Sequence, residues 1–369
     1  MFEMSIVQRT RTTPFHDKIV EAGVKGFTVY NHMLLATYYE SFEADYWNLI
    51  NNVAMWDVAC ERQVEIKGPD AHKLVTLMTP RNLTKCKVGQ GKYVPLVDEN
   101  GGMINDPILL KLAEDHYWLS IADTDVTLWA KGLAAGLGFD VTVTEPDVSP
   151  LAVQGPNANK VCADLLGDWI YDLKYFWFRE YDLDGIPLVV QRSGWSKQGG
   201  LELYLRDSSK GHALWDKVAE AGKPFGIKAG TPSGVERVES GLLSHGNDMT
   251  IENNPFEIGL GKYCDLDQEA DFLSKAALKR IKAEGVKQKL VGIVLPETRA
   301  LGASNWCPLS TPDGNEAGKI TSLTYSPRLE KTIALAHVKV AHTAVNTPLV
   351  AHMPTGDTAA VVHELPFIK

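Results

Sequence analysis

Paired cysteines and paired histidines are missing from this 369-residue sequence. Five scattered cysteines, an odd number and never in C-x-x-C spacing, are typical of reduced thiols in a cytoplasmic protein. They are Cys60, Cys86, Cys162, Cys264 and Cys307. None of the ten histidines forms a His-x-x-x-His pair or lies beside a cysteine pair. We therefore expect no metal site and a cytoplasmic location.

Basic blocks and long apolar runs are also missing. The chain has 37 Lys and Arg against 46 Asp and Glu, a net charge of -9, so we expect no nucleic-acid partner. Residues 1–18 hold no apolar run suited to a signal peptide, and no later run has membrane length, so we expect no membrane partner. The G-x-S-x-G, P-loop and G-x-G-x-x-G patterns do not occur, which argues against serine-hydrolase and common nucleotide-binding functions.

The length and the hydrophobic content of 44% indicate two or three domains. Residues 66–71 (IKGPDA) and 153–158 (VQGPNA) look like an internal repeat, each with a strand, a Gly-Pro turn and a helix. This pattern predicts two related α+β units. Short alternating strands toward the C-terminus predict a small all-β unit, with a boundary near the charged stretch 268–288. Residues 159–180 are predicted as a helical stretch that ends in an aromatic-rich segment, WIYDLKYFWFRE.

Residues 193–204 read SGWSKQGGLELY, and residues 201–205 (LELYL) alternate with period two. One face of the predicted strand carries leucines and the other presents Glu202 and Tyr204 together. The pattern alone also fits a half-buried strand with a solvated polar face, so a binding role for Glu202 stays open at this point.

Several phrases of the chain resemble one family in their order along the sequence. GWSKQGGLELY resembles the G-Y-T-G-E-x-G-x-E-x-Y phrase of the folate-binding aminomethyltransferases, the T-protein of glycine cleavage and its relatives. The same family has phrases similar to three further stretches of this chain, YVPLVDENGGMINDPIL, ERVESGLLSHGNDM and GKITSLTYSPRLEKTIALAHV. The resemblance implies an α+β fold, a three-domain cloverleaf around a central folate channel. The implied domains are residues 1–55 with 145–265, residues 56–144, and a C-terminal β-barrel-like domain at 266–369.

The resemblance also implies the residues that bind tetrahydrofolate. Glu202 matches the glutamate that accepts the side-by-side N–H donors of a pterin edge, an arrangement favoured by a carboxylate. The other implied folate contacts are Tyr204, Tyr93, Asp106, Ile121 and Arg237. Asp106 is also the candidate catalytic residue. Arg237 has an alternative as an ion-pair partner on a helix surface.

Three positions depart from the T-protein pattern. Asn105 replaces the first of two adjacent acidic residues, Trp195 replaces a tyrosine, and Lys262 stands where an aromatic is usual. Within the family, the opening TPFHDKIVEAGVKGFTVYNHMLL and the stretch WIYDLKYFWF are most similar to enzymes that transfer a methyl group from a sulfonium to tetrahydrofolate.

The resemblance to these sulfonium-dependent enzymes also implies which residues contact the sulfonium substrate, since aromatic faces attract fixed cations. The implied set is Trp169, Phe176, Trp195, Ser120, Tyr30 and His32. Instead of binding substrate, Trp169 and Phe176 could be ordinary core aromatics, and His32 could be a structural histidine. The expected ligands are a small sulfonium and folate, and a homodimer is left open. Alternative functions are an aminomethyltransferase, a demethylase of N-methyl amines, or a folate-binding regulatory protein without catalysis.

Overall fold

The computed structural model describes residues 9–295 and 306–369. Residues 1–8 and 296–305, which belong to the first and third predicted domains, lie outside the described residues. The chain forms two compact units. The first holds the chain up to His72, with Cys86–Tyr93 and Ile108–Ser233; the second holds Lys73–Lys85, Val94–Pro107 and the chain from Gly234 onward. The three domain ranges expected from the sequence stay a prediction.

The helices and strands of the described residues are as follows. The α-helices are α1 His16–Glu21, α2 Phe42–Asn51, α3 Ala71–Met78, α4 Val126–Leu137, α5 Ala158–Leu166, α6 Gly211–Gly222, α7 Gly234–Glu239 and α8 Lys275–Glu284. The strands are β1 Gly26–Tyr30, β2 Met33–Tyr38, β3 Val53–Asp57, β4 Gln63–Lys67, β5 Gln90–Tyr93, β6 Leu96–Val97, β7 Met103–Asn105, β8 Ile108–Ala113, β9 His116–Ser120, β10 Thr142–Thr144, β11 Ser149–Gln154, β12 Phe178–Asp182, β13 Pro187–Gln191, β14 Gly200–Leu205, β15 Ile227–Gly230, β16 Gln288–Leu295, β17 Pro308–Ser310, β18 Glu316–Ser326, β19 Lys331–Lys339, β20 Pro348–Met353 and β21 Gly356–His363.

The first unit holds the two-stranded sheet β1-β2 and two larger sheets. One has the order β10-β4-β9-β8-β5, and the other has the order β12-β13-β14-β11-β3-β15. Leu201, Leu203 and Leu205 of β14 pack in one cluster with residues of α5 and α6. Tyr204 faces the opposite way and packs with Trp118 of β9. Strand β14 is therefore covered on both faces, by helices on one side and by the five-stranded sheet on the other.

The predicted repeat is confirmed at both positions. β4 leads through Gly68 into α3, and β11 leads through Gly155 into α5. Both glycines have positive φ angles, 140° and 126°. A Cβ atom at Gly68 would lie 2.6 Å from the Asp140 carbonyl oxygen, and one at Gly155 would lie 2.8 Å from that of Asn52. Each turn therefore requires glycine for its conformation and for the close approach of a neighbouring segment.

The C-terminal all-β prediction is also confirmed. Six strands close into a barrel in the order β16-β19-β18-β17-β20-β21, and pairing between β16 and β21 completes the ring. The barrel begins at Gln288, the end of the charged stretch in which the sequence placed a boundary. Helix α8 lies within that stretch and was not predicted from the sequence. The chain is thus α+β with a C-terminal barrel, the fold class expected.

The predicted helical stretch 159–180 is wrong beyond its first half. Helix α5 ends at Leu166, a short 3-10 helix covers Asp168–Asp172, and Phe178–Asp182 forms strand β12. β12 pairs antiparallel with β13 through a turn in which Asp184 and Gly185 have φ angles of 52° and 83°. An Asp-Gly pair is a strong hairpin signal, and the pairing outweighs the helical appearance of the aromatic segment.

No helix within residues 9–295 and 306–369 is both long and apolar enough to cross a membrane.

Candidate functional site

Glu202 and Tyr204 lie side by side on β14 and are both buried. Glu202 is 5% exposed and Tyr204 is fully buried. The solvated-face alternative is therefore wrong, because the five-stranded sheet covers the polar face of this strand. A carboxylate in this position loses its hydration, so it needs hydrogen-bond donors from the protein or from a ligand.

Two hydroxyl groups supply part of that need. Ser193 Oγ donates to Glu202 Oε2, and Tyr204 Oη lies 3.1 Å from the same oxygen. Across the part of the chain that is described, no group donates to the other oxygen, Oε1. Burial raises the pKa of Glu202, and the bonds from Ser193 and Tyr204 oppose that rise. The arrangement suits a ligand that brings N–H donors to the remaining oxygen.

The turn before β14 carries Trp195 and is held by Gln154. Gln154 Nε2 donates to the Ser193 carbonyl at 3.0 Å, and Ser196 Oγ donates to Gln154 Oε1 at 2.8 Å. Gly194 has a φ of 144°, and a Cβ atom there would lie 2.0 Å from Gln154 Nε2. These contacts hold the turn in place. The half-buried Trp195 lies in this turn, two positions along the chain from Ser193, whose hydroxyl donates to Glu202. Gln154 and Ser193 were not identified from the sequence, since isolated polar residues in strands and turns give no pattern.

Phe176 has an unusual backbone conformation, with a φ of 62°. Its ring is half-buried and lies 4.2 Å from that of Tyr175, centroid to centroid. Its carbonyl accepts hydrogen bonds from the amide of Gly91 at 2.5 Å and from Gln191 Nε2 at 3.4 Å. A bulky residue with positive φ persists only where the surroundings hold it, and such positions are concentrated at functional sites.

Trp169 lies in the 3-10 helix after α5, with its indole N–H donating to the Leu166 carbonyl at 2.7 Å. Its ring contacts Tyr181 at 5.6 Å between centroids, and the Arg179 guanidinium lies 4.9 Å from the ring centroid. One cation thus already occupies a position over this indole. The assignment of Trp169 to a substrate cation stays a prediction.

The hairpin of β1 and β2 brings Tyr30 and His32 to the end of β9. Between them, Asn31 Nδ2 donates to the Cys60 carbonyl at 3.0 Å and to the Ala122 carbonyl at 3.2 Å. Asp123 Oδ1 accepts from the Asn31 amide at 2.8 Å. His32 is exposed, and Tyr30 is half-buried.

Ser120 and Ile121 lie at that same end of β9 and are both buried. Ser120 Oγ accepts a 2.9 Å hydrogen bond from Gln63 Nε2, and the Ser120 side chain acts on the Tyr204 hydroxyl, where it opposes the rise that burial causes in the pKa of Tyr204. Ser120 thereby joins the hydroxyl network of Glu202. The structure brings together Ser120, Tyr204 and Glu202 of the predicted set.

Tyr93 ends β5 in the first unit and is half-buried. Asp106 belongs to the second unit, directly after β7, and is also half-buried. Its backbone amide donates to Asn105 Oδ1 at 2.9 Å. The folate roles of Tyr93 and Asp106 stay predictions.

Arg237 lies on α7 in the second unit and is 8% exposed. Its guanidinium forms a 2.8 Å ion pair with Asp248 and donates to Ser322 Oγ at 2.6 Å. The ion-pair alternative is the one the structure displays, although the pair is buried and not on the helix surface as expected. A contact of Arg237 with the folate tail stays a prediction.

Two family models cover most of the chain. The GCVT N-terminal domain matches residues 15–268, and the glycine cleavage T-protein C-terminal barrel domain matches residues 288–369. The chain belongs to the glycine cleavage T-protein family. It is 45% identical over 357 residues to the dimethylsulfoniopropionate demethylase of Ruegeria pomeroyi, covering 97% of each chain. It is 30% identical over 362 residues to an aminomethyltransferase of Bacillus cereus, covering 97% of this chain and 98% of that protein.

A solved T-protein has the same fold. The glycine cleavage system aminomethyltransferase T of Bartonella henselae superposes with a TM-score of 0.87 at 24% identity, covering 97% of this chain and 98% of that one. The T-protein family and fold expected from the sequence phrases are therefore confirmed.

No group of three or more His, Cys, Asp or Glu side chains arranged to hold a metal ion occurs among the residues described here.

Proposed function

We propose that this protein is a tetrahydrofolate-dependent demethylase that transfers a methyl group from the sulfonium of dimethylsulfoniopropionate to N5 of tetrahydrofolate. The products would be 3-(methylthio)propanoate and 5-methyltetrahydrofolate. The observation that carries the proposal is the 45% identity, over 97% of both chains, to the Ruegeria pomeroyi demethylase. The lower identity of 30% to an aminomethyltransferase favours the demethylase over that alternative.

The residues present fit a reduced pterin. Glu202 is a buried carboxylate whose Oε2 is held by Ser193 and Tyr204. Its other oxygen is the one suited to pterin N–H donors, and pairing there would offset the cost of burying the charge. Bound tetrahydrofolate would supply the N5 lone pair that accepts the methyl group, and the N5 proton would then pass to solvent. Glu202 and Tyr204 would orient the ring for that transfer.

A sulfonium carries a fixed positive charge that proton loss cannot remove. An aromatic face attracts such a cation by about 0.5–2 kcal/mol, with larger values where water is excluded. Trp195 and Phe176 are half-buried aromatics in the unit that holds Glu202. We assign them to the donor's methyl groups and sulfur, with Trp169, Ser120, Tyr30 and His32 as the remaining contacts of the donor.

The leaving group needs no proton from the protein. The sulfur keeps the electron pair of the broken carbon–sulfur bond and departs as a neutral thioether. In-line positioning of the two ligands can therefore supply much of the rate enhancement. Asn105 stands where T-proteins have the first of two adjacent acidic residues, and only Asp106 remains. We therefore assign Asp106 to orienting the folate and not to obligatory proton transfer.

The cysteines of the described structure are compatible with a reducing compartment. All five are free, and four of them are buried. We propose a cytoplasmic location on this ground.

A donor panel tests the proposed function. Purified protein is incubated with tetrahydrofolate and, separately, dimethylsulfoniopropionate, an N-methyl amine and the aminomethyl donor of glycine cleavage. We expect 5-methyltetrahydrofolate from the sulfonium alone. Faster turnover of an N-methyl or aminomethyl donor would replace the proposed substrate. Folate binding without turnover of any donor would favour the regulatory alternative.

A further inference from the structure

Gln191 ends β13 and is completely buried, yet both ends of its side-chain amide are hydrogen-bonded. Its Oε1 lies 3.1 Å from Ser193 Oγ and 3.1 Å from Tyr204 Oη. Its Nε2 donates to the Phe176 carbonyl at 3.4 Å. The carbonyl of Phe176 can only accept a hydrogen bond, so the nitrogen of the Gln191 amide must face Phe176. The amide oxygen then faces the hydroxyls of Ser193 and Tyr204.

The oxygen end of Gln191 joins the network of Glu202. Ser193 and Tyr204 each have one hydroxyl proton, and each lies within reach of both Glu202 Oε2 and Gln191 Oε1. Gln191 therefore offers both hydroxyls a second acceptor within a buried network. The two shared hydroxyls thus tie the position of the Gln191 amide to that of Glu202 Oε2.

The nitrogen end of Gln191 supports Phe176. The positive φ of Phe176 is costly for a bulky residue, so the backbone there needs external support. Its carbonyl receives the Gly91 amide as well as Gln191 Nε2. A Cβ atom at Gly91 would lie 2.3 Å from Gln191 Nε2, so the glycine makes room for this amide. Gly91, Gln191 and Phe176 thus fit together as one interlocked contact.

We propose that Gln191 is a positioning residue that couples the carboxylate network of Glu202 to the backbone of Phe176. One rigid amide thereby holds the group assigned to folate and the aromatic assigned to the methyl donor in a fixed relation. The identity of the two ligands rests on the proposed function. The coupling itself follows from hydrogen bonds within the first unit.

The test uses Gln191→Met, which keeps the side chain's length and removes both ends of the amide. Gln268→Met is the matched control, because Gln268 is also buried and donates to the Pro80 carbonyl at 2.9 Å within the second unit. Both variants are expected to lose thermal stability. Only Gln191→Met is expected to lower kcat, by about tenfold, with smaller changes in both KM values, because ligand alignment is lost more than binding.

A double-mutant cycle with Phe176→Leu separates coupling from general loosening of the core. The dissociation constant of dimethylsulfoniopropionate is measured by calorimetry in all four proteins. We expect Gln191→Met to weaken donor binding about fivefold in the wild-type background and less than twofold beside Phe176→Leu. If Gln191→Met does not fold, Gln191→Asn, whose amide is one methylene shorter, takes its place.

Three results would overturn the coupling. They are wild-type kcat in Gln191→Met, an equal loss of kcat in Gln268→Met, and independent effects of Gln191 and Phe176 on donor binding. Failure of the proposed function is distinguishable. Wild-type protein that transfers no methyl group contradicts that function, whereas donor and folate dissociation constants of the same variants still decide the role of Gln191.

Discussion

Replacing Glu202 with glutamine should weaken folate binding while leaving the protein folded. The amide oxygen of glutamine can still accept from Ser193 and Tyr204, which now hold Oε2 of the carboxylate. The amide nitrogen then replaces the oxygen that we assign to the pterin, so that donors face donors. The loss includes a charge-assisted pair and poorly matched ligand groups, together about 2–4 kcal/mol.

That energy corresponds to about a 30- to 900-fold increase in the dissociation constant of tetrahydrofolate. Calorimetric titration at pH 7 measures it directly. Because burial raises the pKa of Glu202, ionisation of this group costs the native state free energy as pH rises above the ordinary carboxyl value of 4.5. The glutamine variant has no such cost, so its melting temperature at pH 7 should equal or exceed that of the wild type.

Glu65→Gln is the matched control for this experiment. Glu65 lies in the same unit, and its oxygens already accept from Trp118 and Thr144, at 3.0 and 3.2 Å. Its substitution should leave folate affinity unchanged. Wild-type folate affinity in a folded Glu202→Gln protein would refute the assignment of Glu202 to the pterin.

Three further predictions concern the donor, the second carboxylate and pH. Trp195→Ala should raise the donor KM about 2- to 30-fold and lower turnover, with little change in folate affinity, and Trp195→Phe should keep part of the activity. If Trp195→Ala instead lowers the melting temperature and weakens the binding of both ligands, Trp195 has a packing role. Asp106→Asn should slow methyl transfer without abolishing it, and loss of the acidic limb of a bell-shaped pH–rate profile would instead identify an acid or base. Burial raises the pKa of Asp57 from 3.8 to about 6, so the native state holds a proton that the unfolded state releases, and stability falls as pH rises through this window. Asp57→Asn should therefore gain about 1 kcal/mol relative to wild type between pH 5 and pH 7 in denaturant titrations, and a constant difference would contradict this.

Recurring phrases made much of the fold predictable. The Gly-Pro turns at Gly68 and Gly155 occur where the repeat placed them, because only glycine tolerates both the positive φ and the close backbone contact. Helix α4 was missed, and the segment around β12 was assigned to a helix. In that segment the Asp184-Gly185 turn allows β12 to pair with the next strand, β13, and local periodicity does not report strand pairing.

The candidate site was predictable only in part. Alternation placed Glu202 and Tyr204 on one face of β14, but it left burial undecided, since covering that face requires Trp118 from another sheet. Gln191 and Ser193 had no sequence signal, because their roles come from hydrogen bonds made after folding. Tertiary pairing thus supplies the part of the site that sequence pattern leaves out.

Methyl transfer from dimethylsulfoniopropionate to tetrahydrofolate, followed with both S-methyl groups labelled, tests the central claim most directly. The account predicts that the label appears in 5-methyltetrahydrofolate in equal amount to the 3-(methylthio)propanoate formed, and that Glu202→Gln suppresses both products together. Thioether formation without labelled folate, or no turnover by wild-type protein that binds both ligands, would contradict it.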